Sequence, residues 1–141
     1  MQIKEIATEL KLPYIKNNYQ NLINQANQTS MAYDEFLLGI LENEYELRKS
    51  NSVARRLRNA RFPMKKYLED FDQSKYIVEI RNKFKDIETL QFIDNKENII
   101  LIGSSGAGKT HYSIGLGIKA CLNGKSVLFK SVPDRKSTRL N

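Results

Sequence analysis

Eight consecutive residues carry the clearest chemistry in this chain. Gly103-Ser104-Ser105-Gly106-Ala107-Gly108-Lys109-Thr110 fit the pattern G-x-x-x-x-G-K-[ST] without a mismatch. Each fixed position has a physical reason. Glycines let a backbone curl until successive N–H groups converge on phosphate oxygens. Lys109 brings a positive point charge to β- and γ-phosphates, and Thr110 offers a hydroxyl to Mg²⁺. A helix starting at this point turns its positive end toward the same anion. The expected ligand is therefore a nucleoside triphosphate with Mg²⁺, held by residues 103–110. His111 follows and is the only histidine, so no metal cluster or histidine-based triad can be built around it. It either touches nucleotide or serves as an ordinary residue of the first helical turn.

Such a loop needs a strand before it and a helix after it. Asn98-Ile99-Ile100-Leu101-Ile102 reads as that strand, apolar on both faces as a central parallel strand is. Ile114, Ile118, Cys121 and Leu122 mark one face of the helix, and Asn123-Gly124 supplies its C-terminal glycine. Ser126-Val127-Leu128-Phe129 is the expected second strand, completing strand–loop–helix–strand. Upstream, Ile77, Ile80, Phe84 and Ile87 outline a helix that Asp72 or Ser74 can cap, and Asp94-Asn95-Lys96 reads as a turn. The lone cysteine, Cys121, lies in an apolar stretch and is expected as a small core residue.

The N-terminal third has a different character. Ile3, Ile6, Ala7 and Leu10 recur at helical spacing, and Pro13 ends that short helix. A second stripe runs through Ile15, Tyr19, Leu22, Ile23 and Ala26. A third has Phe36, Leu37, Ile40, Leu41 and Tyr45, with no proline or glycine from there until Pro63 to stop it. An all-α module over residues 1–66 follows, its helices antiparallel and their stripes buried together. Residues 64–73 read as a linker.

The 141 residues carry a net charge of +7, unevenly spread. Residues 48–66 hold eight Lys or Arg and no acid. Within them, Arg55, Arg58 and Arg61 fall near one helical stripe, which suits DNA phosphates and shows nothing that reads bases. A solvated face or ion pairing between subunits fits that composition equally. With 40% apolar and 28% charged residues the chain is globular rather than disordered. No apolar run nears the roughly 18 residues of a membrane span, and the first residues do not start a signal peptide. A cytoplasmic protein with no membrane partner is expected.

A phosphate loop does not say what the nucleotide is for. Tyr33-Asp34-Glu35-Phe36-Leu37, Leu41-Glu42-Asn43-Glu44, Arg48, Asn51 and Arg55-Arg56-Leu57-Arg58-Asn59-Ala60-Arg61-Phe62-Pro63 closely resemble the N-terminal signature of IstB-type transposition helpers. So do Leu68-Glu69-Asp70-Phe71-Asp72 and the block from Glu97 to His111. Ser104-Ser105 departs from the family's commoner paired prolines, and Tyr112-Ser113 after the histidine is a second departure. The resemblance implies an AAA+ α/β P-loop ATPase behind an all-α N-terminal domain, with ATP as the nucleotide. It implies a homo-oligomer on double-stranded DNA that presents bent target DNA to the transposase of the same element. It also favours the DNA reading for Arg55, Arg56, Arg58 and Arg61.

The resemblance stops at Asp134. Residues 67–134 are expected as a linker helix and the first half of the ATPase domain, with an incomplete parallel sheet. Residues 135–141 look like translated adapter sequence rather than native chain. Residues 111–141 hold one acid, Asp134, and no apolar strand ending in paired acids, so nucleotide binding without hydrolysis is expected. Residues 98–102 would then keep unpaired backbone on both sides. Competing readings are a DnaC-type helicase loader, a small-molecule P-loop kinase and a non-enzymatic DNA-binding fragment.

Overall fold

The computed structural model describes residues 2–132. Asp134 and the segment 135–141 lie outside the described residues. Among the described residues six α-helices are bounded: α1 (Ile3–Glu9), α2 (Pro13–Thr29), α3 (Tyr33–Ala60), α4 (Val78–Glu88), α5 (Gln91–Asp94) and α6 (Lys109–Leu122). Short 3₁₀ turns at Leu68–Asp70 and Gln73–Lys75 lie between α3 and α4. The chain divides into two compact units, the first ending at Ser52 and the second beginning at Val53, within α3.

In the first unit, Glu5 accepts from the Gln2 backbone N–H at 2.8 Å and tethers the start of α1. Lys11, at φ 56°, breaks the chain direction, and Pro13 then occupies the first turn of α2. Proline is tolerated there because a first-turn N–H has no intrahelical partner. It therefore opens α2 as much as it ends α1. Glu44 of α3 is buried, and its Oε2 accepts from the Ile15 N–H at 2.9 Å. Arg48 donates to the Lys11 carbonyl at 3.0 Å. These two bonds fasten α3 to the α1–α2 connection.

The expectation that the three stripes bury together needs correction. Ala7 and Glu44 are the buried residues among those described in this unit. Phe36 and Ile40 are half-buried, whereas Leu37, Leu41 and Tyr45 stay more than half exposed. Three helices in about fifty residues do not provide enough opposing surface to cover both flanks of a long one.

The second unit is built around α6. Tyr112, Ile114, Gly115, Leu116, Ile118, Ala120 and Cys121 are all buried, so nearly the whole circumference is covered rather than one stripe. Leu122, expected on the buried face, is exposed. Two glycines make the cover possible. A Cβ at Gly115 would stand 3.0 Å from the Leu68 backbone nitrogen, and one at Gly117 would stand 2.8 Å from the Phe62 ring. The segment expected as a linker thus packs onto α6. Phe84, Leu90, Tyr112, Leu116 and Ala120 form the core, with Phe71, Tyr76, Ile99 and Leu101 against it. Asp72 accepts from the N–H and hydroxyl of Ser74 and caps the second 3₁₀ turn, not α4 itself. Gly124 ends α6 at φ 84°, with Gly124 N–H bonded to the Cys121 carbonyl and Lys125 N–H to the Ala120 carbonyl. That pair of bonds is the Schellman closure.

Residues 98–102 and 126–129 form no β-ladder among the described residues, so the parallel sheet expected there is not formed by this segment. Ile99 and Leu101 rest on the core, but Ile100 and Ile102 are 80% and 92% exposed. A strand exists through the amides it pairs with, and an apolar sequence cannot supply those partners. No helix among the described residues is long and apolar enough to cross a membrane.

Burial, with the charge of Glu88 second, pushes the Tyr112 phenol well above its ordinary value of 10.0. The unfolded chain then loses this proton near pH 10 while the folded chain keeps it. The unfolded state binds fewer protons there, so stability falls as pH rises past that value. Denaturant unfolding of Tyr112→Phe should therefore show a shallower loss between pH 9 and 11 than the parent chain, to the nearest ~1 pH step. Parallel pH profiles would show that Tyr112 is not held neutral.

Candidate functional site

The glycine-rich loop runs directly into α6. Gly106 and Gly108 have φ of 79° and 88°, the left-handed region that side chains with a Cβ avoid. Gly108 is the N-cap and offers no side-chain acceptor, and no acid lies in the first turn of α6. The N–H groups and positive dipole end at this point are therefore left uncompensated by the chain. Lys109 lies in the first turn, its amine donating to the carbonyls of Gly103 at 2.7 Å and Ser104 at 2.6 Å. The Ala107 N–H closes a turn onto the Ser104 carbonyl at 3.2 Å. Thr110 is exposed beside them. Ser104, Ser105 and Gly106 are likewise exposed, so the loop faces outward.

An aromatic brace holds the loop from behind. A Cβ on Gly108 would stand 2.8 Å from the Phe71 ring. Tyr76 donates its hydroxyl to the Ala107 carbonyl at 2.5 Å. Phe71 also packs on Tyr76, Phe84 and Tyr112 with ring centroids 5.2–5.8 Å apart. None of these residues was singled out from sequence as belonging to the site. The signal available was two aromatics, Phe71 and Tyr76, in or beside a stretch read as linker.

His111 belongs with the brace. Its Nε2 lies 2.8 Å from the Tyr67 carbonyl, and its ring meets the Phe71 ring edge-on at 5.5 Å. A carbonyl only accepts, so this nitrogen donates. These contacts tie residues 67–71 to the first turn of α6.

The four arginines separate. Arg55 and Arg58 are exposed on the last turns of α3. Arg61 lies past the end of that helix at φ 57°, so it does not continue their stripe. Arg56 is half-buried, and its Nε donates to the Cys121 carbonyl at 2.9 Å. A cation at the C-terminal carbonyls of α6 complements that end of the helix dipole. Burial also raises the Cys121 thiol, against the smaller opposing effect of Arg56. Just beyond, the Phe129 N–H donates to the Ala60 carbonyl at 2.8 Å, and Phe62 packs near Phe129 with centroids 6.5 Å apart. No group of three or more His, Cys, Asp or Glu among the described residues could hold a metal ion.

An outward glycine-rich loop, a lysine amine over its carbonyls and an uncapped helix start make a site whose chemistry suits a phosphate-bearing ligand. A more specific assignment comes from comparison. The family model described as IstB-like ATP binding protein matches residues 5–137, and the chain belongs to that family. A protein of Pseudomonas aeruginosa, named for insertion sequence IS21 and ATP binding, is 34% identical over 128 residues, 91% of this chain and 48% of its own length. A protein of Geobacillus stearothermophilus, named likewise for insertion sequence IS5376, is 29% identical over 133 residues, 94% of this chain and 53% of its own. One of Mycobacterium tuberculosis, named as an ATP-binding protein in an insertion sequence, is 31% identical over 127 residues. The chain spans about half the length of these curated relatives.

Gly108 is the position where loop and brace meet. Gly108→Ala adds left-handed strain of about 1–2 kcal/mol and drives a methyl group into Phe71. The thermal midpoint should fall by several degrees, roughly 4 °C or more. Gly106→Ala, which has open space beside it, should lower it less. Equal midpoints for the two variants would mean that Phe71 does not bear on the loop.

Proposed function

We propose that this chain binds ATP with Mg²⁺ through residues 103–111 and grips duplex DNA by its phosphates, as an accessory to the transposase of its own insertion sequence. The start of α6 carries the first half of this reading. It offers an outward loop, an uncompensated helix N-terminus and the Lys109 amine on loop carbonyls that a phosphate's oxygens can replace. The fit to a triphosphate is good, since Gly106 has open space beside it and Thr110 is exposed. Thr110 would hold Mg²⁺, which when bound neutralises phosphate charge. Gly103–Gly108 would direct N–H groups to the phosphates, and His111 contributes by keeping the first turn of α6 in place. Hydrolysis would further call for an acid that holds Mg²⁺ on a later strand, and residues 111–132 contain no Asp or Glu.

The DNA grip is assigned to Arg55, Arg58 and Arg61, all exposed, with Arg56 anchoring the helix that carries them. Its support is the acid-free run from residue 48 to 66. Phosphate contacts of this kind position a protein without reading sequence. Copies of the chain associate on DNA through α3, where Tyr33, Leu37, Leu41 and Tyr45 stand exposed at spacings of four. The longer protein of which relatives of this kind are examples would add the partner strands for residues 98–102 and complete an AAA+ sheet. The relatives' names, which join ATP binding to insertion sequences, support the transposition setting.

Three substitutions test these assignments. ATP at about a hundredfold excess over its Kd should stabilise the parent by about 2.7 kcal/mol and leave Lys109→Ala unprotected in thermal melts. Protection of Lys109→Ala equal to the parent's would sink the nucleotide site. Arg58→Ala should weaken duplex binding on every sequence alike and reduce the slope of log K against log salt by roughly 0.9. An unchanged slope would remove Arg58 from the grip. In sedimentation, Leu41→Asp should run as a smaller species than the parent on DNA, and identical profiles would place association elsewhere.

A further inference from the structure

The turn that closes α6 and the last turns of α3 enclose a small notch that the basic row alone does not describe. Arg55, Arg56 and Asn59 form one wall, and Gly124, Ser126 and Val127 form the other, around a volume of about 170 Å³. The walls are fastened together. Phe129 N–H bonds to the Ala60 carbonyl, Arg56 Nε bonds to the Cys121 carbonyl, and Val127 lies with Phe62 over Gly117. The Schellman closure at Gly124 fixes where Ser126 emerges.

The lining is one of donors. Arg55 is exposed and lines the notch with a donor-only guanidinium, and Asn59 and Ser126 line it with an amide N–H₂ and a hydroxyl that can turn to donate. Neither wall contributes a carboxylate, since residues 48–66 and 98–132 contain no Asp or Glu. Asp94 of α5, which reaches this turn, is paired with Lys125. A concave, donor-lined site between two fixed elements with cationic side chains suits a tetrahedral oxyanion better than a flat basic face does.

We infer that this notch seats a phosphate group, and that the group is a backbone phosphate of duplex DNA. The source of the phosphate rests on the DNA-binding reading above, and its seat rests on the notch alone. The site extends the DNA contact beyond the arginines to Asn59 and Ser126. It also ties the contact to the C-terminal end of the helix whose N-terminal end carries Lys109.

Ser126→Asp and Asn59→Asp place a negative charge in the notch from opposite walls, and both positions are exposed, so folding should survive. Binding of a fluorescent duplex to the full chain is measured by anisotropy across a salt series, beside the parent, Arg58→Ala and Ser126→Ala. Each aspartate variant should weaken binding about tenfold at low salt and flatten the log–log salt slope by roughly 0.9, while Ser126→Ala changes affinity only about twofold. Parent-like affinity and slope in both aspartate variants, with Arg58→Ala weakened, would overturn the notch and leave the DNA reading standing. If no form binds duplex, the DNA reading falls, and calorimetry with inorganic phosphate decides the seat. Phosphate binding by the parent that Ser126→Asp abolishes keeps the notch as a free-phosphate site, and its absence in the parent overturns it.

Discussion

The second unit depends on α6 being a helix with almost no free side. Its N-terminal end is left open, with no side-chain cap and no acid in the first turn. Its body must be covered, because Tyr112, Ile114, Leu116 and Ile118 would otherwise face water. Gly115 and Gly117 meet that demand by letting Leu68 and Phe62 approach the helix backbone. Glycine lowers helix stability relative to alanine by about 1 kcal/mol, and here the packing of two segments offsets that cost. Both ends are then held by residues beyond the helix: Phe71, Tyr76 and the Tyr67 carbonyl that His111 reaches at the loop, Arg56 and the Gly124 closure at the far end.

This arrangement gives the basic signature two kinds of residue in one short string. Arg56, Ala60 and Phe62 face inward and bind to α6 or to the segment after it. Arg55, Arg58 and Arg61 face outward. A run that looks like a single electrostatic feature is thus half fastening and half surface. The outward half can be presented in one geometry because the inward half is fixed.

Local rules were readable from the residues alone. The glycine-rich loop, the start of α6 at Lys109, its closure at Asn123-Gly124 and the continuation of α3 through the arginines all follow from patterns spanning fewer than about ten residues. What escaped was long-range. Leu68 and Phe71 sit in a polar stretch with no period of their own, and only the glycines far along the chain say where they go. Leu37, Leu41 and Tyr45 keep perfect helical spacing yet remain exposed, because periodicity reports which face is apolar and not what covers it. Residues 98–102 have a strand's composition, but pairing is a property of neighbours, and the described residues provide none.

Cys121 carries a practical consequence. It is the only thiol in the chain, fully buried under the last turns of α6 and held protonated above its ordinary range. A thiol of that kind reacts slowly with electrophiles, because the thiolate is the nucleophile. The native chain should therefore react only slowly with maleimide dyes and thiol-directed spin labels. A cysteine introduced at an exposed position would be the single reactive handle, with no background substitution needed in the helix that supports the loop.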